Sequence, residues 1–549
     1  MDDNGGWRLA WLRGGGHAGR VKTTAYPASA PEAAAGASPV EGAGGWRGFW
    51  PVVLPVLLFL PMVLAPPVNH DVAAVLAFAQ RWLGGEKLYS ELIDVNPPLI
   101  FILNLLPAGI AALTPLDGVS ALRLCVLAFG GFAWFLALRT RWREAEGAVE
   151  RAVLDVLPVL FLLGAGYDFG QREHLMAVGA LPYVLCAAQR AEGRRPRNWL
   201  TVSILAAMVF ALKPHFLAVP ALVEIGVLGT RLRAAGTWGQ TLRDPVPWVL
   251  AAIWGFYLAS VPLIFPDYAG VVLPLVWDFY VGLGGLSAWQ VLLAPRMLPA
   301  VLLLAPFVGV AVFWRIARGA PRIVALAAIG AAAAAMAQHK GWSYHILPLE
   351  FFACALAVLV GACWLDRDWE QAPVAVPRRA RRLIASCAMY FIVNGEAPWK
   401  QLNYAASEVA GLAQLMEREA TGERVLVLSP GIYPIYPAVN YADVVNTLRT
   451  MNMWLLQAAN DTCLPDGKRY RDVWEMGRAE FFVYRTVAED FARAPPAVVV
   501  VDRQPGIPWC GEEFSFIGYF GRHPLFAEVW SHYQLTAERG RYLVFTRKD

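Results

Sequence analysis

The sequence predicts a mainly α-helical, polytopic membrane protein with about 11 transmembrane helices, one juxtamembrane or re-entrant segment and a C-terminal α/β domain on the outer face. Three observations lead there. Hydrophobic residues fill 57% of the 549 positions and charged residues only 16%, a balance that soluble chains do not show. Apolar runs long enough to cross a bilayer recur between residues 50 and 394. Arginine clusters fall between those runs at regular intervals, as loops retained in the cytoplasm do.

Taken in order, residues 1–47 are rich in Gly, Ala and Pro with scattered Arg and Lys. They read as a disordered cytoplasmic tail, with no cleavable signal peptide evident. Residues 48–395 form the predicted transmembrane domain, with apolar runs near 50–66, 98–114, 118–138, 152–166, 175–189, 199–212, 215–230, 247–265, 296–314, 323–338, 346–365 and 383–394. Basic clusters stand at Arg139/Arg141/Arg143, Arg190/Arg194/Arg195/Arg197, Arg231/Arg233/Arg243, Arg315/Arg318/Arg322 and Arg378/Arg379/Arg381/Arg382. Two apolar runs separate each cluster from the next, so all of them fit on the cytoplasmic face. Three runs lie between the tail and Arg139, and an even number of crossings is required. The run at 98–114, with Pro97, Pro98 and Pro107, is therefore read as the piece that does not cross.

This topology sends the remaining loops outward: 67–97, Asp168 to His174, Lys213-Pro214-His215, Asp267 to Pro295, and His339 to His345. Residues 396–549 go with them as a soluble domain. There Glu423–Ser429 and Pro496–Asp502 read as buried strands, and stretches near 403–420 and 470–492 as helices. The aromatic, Pro-rich stretch Pro430 to Tyr441 either covers a membrane site or packs as an ordinary loop. Five cysteines (Cys125, Cys186, Cys354, Cys363, Cys387) sit in apolar runs as small filler. Cys463 and Cys510 are free to pair if the C-terminal domain leaves the cytoplasm. The arginine clusters are short and flank apolar runs, which argues against nucleic-acid binding. No Walker loop or dinucleotide fingerprint points to ATP or a nucleotide sugar.

Nearly all the chemically interesting residues thus share one face. Asn69-His70-Asp71 opens a helix in which Val72, Val75, Leu76, Ala79 and Leu83 recur at helical spacing, as in a helix lying along the bilayer surface. Asp before such a run is also an ordinary helix cap. Farther on come Asp94-Val95-Asn96-Pro97-Pro98-Leu99. This arrangement resembles the first outer loop of GT-C glycosyltransferases, the family of protein O-mannosyltransferases and lipid A aminoarabinose transferases. There a D-E-x-x-Y-A start leads to D-K-P-P-L about 30 residues later. Asp71 matches the first acid and Pro97-Pro98-Leu99 the end. Val72 replaces the second acid, Asn96 replaces the lysine, and the nearby acid stands at Asp94.

The resemblance implies an inverting enzyme that moves a sugar from a polyprenyl-phosphate donor to an outer-face acceptor: a lipid-linked glycan, lipid A or a protein. It implies Asp71 as the base, with a pKa expected to be raised by its partly shielded position. Asp168 or Glu173 fills the place of the family's second-loop acid. Arg172, whose planar fork suits phosphate, and His174 join it as ligands unless this dense stretch is an interfacial salt-bridge cluster. Asp94 and Asn96 fall with the substrate. Lys340, Tyr344 and His345, in a stretch that also reads as an aromatic and cationic belt, approach the phosphate, and Lys213 and His215 are weaker candidates of that kind. Asp71, Asp168, Glu173, His174 and His345 offer ligands to a divalent cation, but no spacing among them is a metal signature and none is assigned. The expected setting is a bacterial inner (plasma) membrane, N-terminus cytoplasmic. Two readings from other classes remain: a transporter or flippase, and a non-catalytic assembly partner for lipid-linked glycans.

Overall fold

The computed structural model describes residues 50–235, 237–313, 319–367, 376–464 and 467–548. The tail expected over 1–47, and Arg315 and Arg318, lie outside them. Each apolar run read from the sequence is a helix: Trp50–Leu64 (α1), Pro98–Leu113 (α3), Gly118–Thr140 (α4), Ala148–Leu163 (α5), Arg172–Ala191 (α6), Trp199–Phe210 (α7), Ala218–Ala235 (α8), Pro245–Ile264 (α9), Met297–Phe313 (α10), Gly319–Ala337 (α11), Ser343–Arg367 (α12) and Val376–Asn394 (α13), with His70–Leu83 (α2) between the first two. Among the described residues, five helices are long and apolar enough to cross a membrane: 118–140, 214–234, 245–264, 319–337 and 343–367. Several others, including α3, α7 and α10, are apolar but shorter.

Small residues set how closely these helices pack. α11 carries a run of alanines around Gly330, and a Cβ on Gly330 would stand 2.7 Å from the Cα of Val219. Only hydrogen fits between α11 and α8 there, the kind of close approach that small residues permit between apolar helices.

The C-terminal part is α/β. Its five-stranded sheet has the order β2-β1-β3-β5-β4, from Arg424–Leu428 (β1), Val445–Asn446 (β2), Val498–Asp502 (β3), Tyr533–Arg539 (β4) and Tyr542–Arg547 (β5). β1 pairs in parallel with β2 and β3, and β5 runs antiparallel to β3 and β4. The unbroken Val498–Val501 run is buried, as a strand covered on both faces requires. Helices Glu408–Ala420 and Arg478–Arg493 accompany the parallel strands. Cys463 and Cys510 form a disulfide, with Cα atoms 5.5 Å apart.

This part sits directly on α2. Arg81 Nη1 donates to Leu448 O at 2.7 Å, Asn440 Nδ2 to Ala73 O at 3.0 Å, and Ile93 N to Arg449 O at 2.6 Å. α2 is therefore buried nearly all round, including Ala73, Ala74 and Phe78 off the predicted stripe, while Leu83 is exposed. The helix predicted to lie along the bilayer surface packs between α3 and the C-terminal part.

Candidate active site

Where α2 starts decides where Asp71 points. The helix is capped by Asn69, whose side chain accepts from the Asp71 backbone N at 3.0 Å. Asp71 is thus spared the capping role, and its carboxylate turns to the wall of a cavity of about 780 Å³. The 94–97 turn, the start of α6, the 213–215 segment, the stretch around Tyr268 to Leu283 and the 338–345 segment complete that wall. From above come Ile432, Tyr433, Met451, Asn452, Trp454 and Gln457 of the C-terminal part.

Asp71 Oδ2 accepts from Gln171 Nε2 at 3.1 Å and lies 3.7 Å from Arg172 Nη2; Oδ1 is 3.7 Å from His70 Nε2. Burial pushes its pKa up, but His70, Arg172, the Gln171 hydrogen bond and Lys213 together bring it below the ordinary value. This corrects the raised pKa expected from shielding alone. Asp94 behaves in the opposite way: burial raises it despite the Asn96 backbone and side-chain donors, at 2.8 and 2.6 Å. The Asn96 amide is thereby turned onto Asp94, where it shapes the turn.

Three cations face Asp71 or stand along the same wall. Arg172 is buried and pairs with Asp71. Lys213 Nζ bonds Glu173 at 2.5 Å and is pushed down to about 8 by burial, with Glu173 opposing and Arg172 adding to the shift. Lys340 Nζ donates to the carbonyls of Tyr280 and Leu283, at 2.9 and 2.8 Å, 4.0 Å from the centre of the Tyr280 ring. Burial brings it to about 8 as well. Among the described residues no carboxylate lies within ion-pair distance of Lys340, so its charge is available to an anion in the cavity. Tyr344 and His345 line the same wall, their rings 4.4 Å apart.

Other residues expected at the site point elsewhere. Glu173 is fully buried beneath Lys213, with Oε1 3.9 Å from His345 Nε2. His174 is fully buried too: its Nδ1 accepts from Gly170 N at 3.0 Å, and Nε2 meets the carbonyls of Phe161 and Leu162 at 3.1 and 2.9 Å. That ring ties α6 to the end of α5 and is turned away from the cavity, a correction to its placement as a phosphate ligand. Asp168 lies outside the cavity wall and is engaged by Asn69 and Arg296, at 3.2 Å each. Burial pushes its carboxyl up to about 7, with Arg296 opposing. Among the described residues, no three of His, Cys, Asp or Glu are grouped so as to hold a metal ion.

The sequence reading passed over His70, Tyr280, Trp454, Arg296 and Glu350. Tyr280 and Trp454 are far apart in sequence, and their edge-to-face contact at 5.3 Å joins the membrane part to the C-terminal part over Lys340. No local pattern announces such a contact. Arg296 and Glu350 did leave a signal, as isolated charges at the edge and in the body of apolar runs.

No family model matches the chain, and no curated protein does. Among solved structures it is similar to the crystal structure of ArnT from Cupriavidus metallidurans bound to undecaprenyl phosphate. The TM-score is 0.55 at 13% identity, over 92% of this chain and 98% of that one. At that identity the likeness is one of fold.

Proposed function

We propose that this chain is an inverting glycosyltransferase of the GT-C type, moving a sugar from a polyprenyl-phosphate donor to an acceptor on the outer face of the membrane. The observation that carries the proposal is that Asp71, paired with Arg172, lines one cavity with Lys213 and Lys340. Base and phosphate stabiliser are the two requirements of the reaction, and here they face one space.

In this reading the acceptor hydroxyl attacks the anomeric carbon as its proton passes to Asp71. The bond from that carbon to the phosphate oxygen breaks in the same displacement, inverting the centre. Polyprenyl phosphate leaves with an additional negative charge, which Lys340, Lys213 and Arg172 balance. Preorganised cations in a partly dry cavity stabilise such a charge better than water does. Asp94 and Asn96 edge the sugar space, with Tyr344 and His345 toward the phosphate.

The carrier is proposed on two grounds: the fold's likeness to a structure holding undecaprenyl phosphate, and the apolar helices that flank the cavity. The Cys463–Cys510 disulfide supports an oxidising surrounding for the C-terminal domain, with the arginine clusters on the cytoplasmic side of an inner (plasma) membrane. The acceptor is a lipid-linked glycan, lipid A or a protein, contacted by the roof residues Tyr433, Trp454 and Gln457.

The test is a panel of radiolabelled polyprenyl-phosphate sugars given to membranes containing the full chain. Label from at least one donor should pass to an acceptor. Transfer from none, with acceptors of all three kinds present, would move a flippase or an assembly role to the front.

A further inference from the structure

Glu350 sits within the apolar helix α12, and Arg296 immediately precedes α10. Ionisable groups at membrane depth persist when they are paired or used. These two are paired: the Arg296 guanidinium donates to both Glu350 oxygens and, from Nη1, to Asp168 Oδ2 at 3.2 Å. Glu350 is 1% exposed and Asp168 4%.

From Asp168 the contacts continue. Its Oδ1 accepts from Asn69 Nδ2 at 3.2 Å. Asn69 Oδ1 accepts from Gln171 Nε2 at 2.8 Å and from the Asp71 backbone N. Gln171 Nε2 then reaches Asp71 Oδ2. The direction of each bond is fixed at Asn69. The Asp71 backbone N–H can only donate, so Asn69 Oδ1 is held as its acceptor. Asn69 must then present its amide NH2 to Asp168, which leaves its oxygen for Gln171. Gln171 in turn must present its own NH2, and Asp71 receives it.

We infer that Arg296 and Glu350 are positioning residues for the Asp71 carboxylate, acting through Asp168, Asn69 and Gln171. The inference rests on the reading of Asp71 as the base, and it makes Asp168 a relay of orientation rather than a second catalytic acid.

The test is a double-variant cycle on the full-length protein in nanodiscs, with Arg296→Gln, Arg296→Lys, Asn69→Ser and the combination Arg296→Gln/Asn69→Ser. Serine keeps a helix cap but lacks the amide that links Asp168 to Gln171. Arg296→Gln should lower kcat roughly ten- to hundredfold, the scale of a misplaced catalytic group, with donor KM little changed. Arg296→Lys should recover most of the loss. The combination should be no slower than the slower single variant, because both cut one path. A wild-type kcat in Arg296→Gln, or effects that multiply in the combination, overturns the inference.

Carbodiimide labelling of Asp71 against pH, read by mass spectrometry, supplies a readout independent of transfer. Loss of the Gln171 donor should raise the pH at which Asp71 becomes protonated, equally in Asn69→Ser and in the combination. His70, Arg172, Lys213 and Asp94 face Asp71 and are the same in every variant. If no donor is used but this midpoint shifts as described, the network stands and the transferase reading falls. An unshifted midpoint overturns the network. Should Arg296→Gln fail to fold, Glu350→Gln, which leaves the guanidinium in place, enters the same cycle with the same criteria.

Discussion

Asp71, Lys213 and Lys340 show why a residue's chemistry is read from its neighbours as well as from its position. Burial alone opposes charge on all three, and it does bring both lysines to about 8. At Asp71 the cationic side of the cavity reverses the burial effect. A carboxylate with a lowered pKa stays ionised to lower pH, so the base is lost only as pH falls through that value. The lysines lose charge as pH rises through about 8. The pH profile of kcat/KM should therefore be flat across the weakly acidic and neutral range, with its alkaline limb near 8 and its acid limb below the usual carboxylate range. An acid limb at pH 6 to 7 would contradict the account of Asp71. The same scale shows what the sequence hid. Arg172, Glu173 and His174 are consecutive, and each helical step turns the side chain by about 100°. Arg172 meets Asp71 and the cavity, Glu173 slips beneath Lys213, and His174 ends against the α5 carbonyls. A motif marks the segment without saying which of its residues faces in.

At the scale of elements, periodicity located the helices but not their covering. Of the stripe Val72, Val75, Leu76, Ala79 and Leu83, the first four are buried and Leu83 is exposed, while Ala73, Ala74 and Phe78 on other faces are buried too. Strands β1 and β3 were legible because each is an apolar run bounded by turn residues. The β4–β5 hairpin was not, since Tyr533–Arg539 is mostly polar and exposed on its outer edge. Arg81 is the residue that fixes α2 under the C-terminal part: it is buried, holds Glu86 through two bonds and reaches the Leu448 carbonyl. Arg81→Ala leaves the buried Leu448 carbonyl without that donor, while the half-buried Glu86 keeps Arg424, and should cost about 1–3 kcal/mol, the range for an unpaired buried acceptor. A thermal unfolding scan of the purified protein should show a clearly lower midpoint. An unchanged midpoint would mean that the C-terminal part is held on α2 by other contacts.

For the molecule as a whole, the alternation of apolar runs and arginine clusters carried more information than any motif. It predicts that the outer loops share one face, and those loops supply most of the cavity lining, the rest coming from Ile432 to Gln457 of the C-terminal part. Contacts between distant segments, such as Tyr280 with Trp454 or Asp168 with Arg296, had no such signature, because nothing local records which loops meet. The central claim is that Asp71 takes the acceptor's proton in this shared cavity. The measurement that tests it most directly is the transfer rate of Asp71→Asn with the donor the wild type uses. Asparagine keeps the shape and cannot accept the proton, so the rate should fall by roughly 10²–10⁴-fold, the contribution of a positioned base. A variant that transfers within a few-fold of wild type would contradict the account.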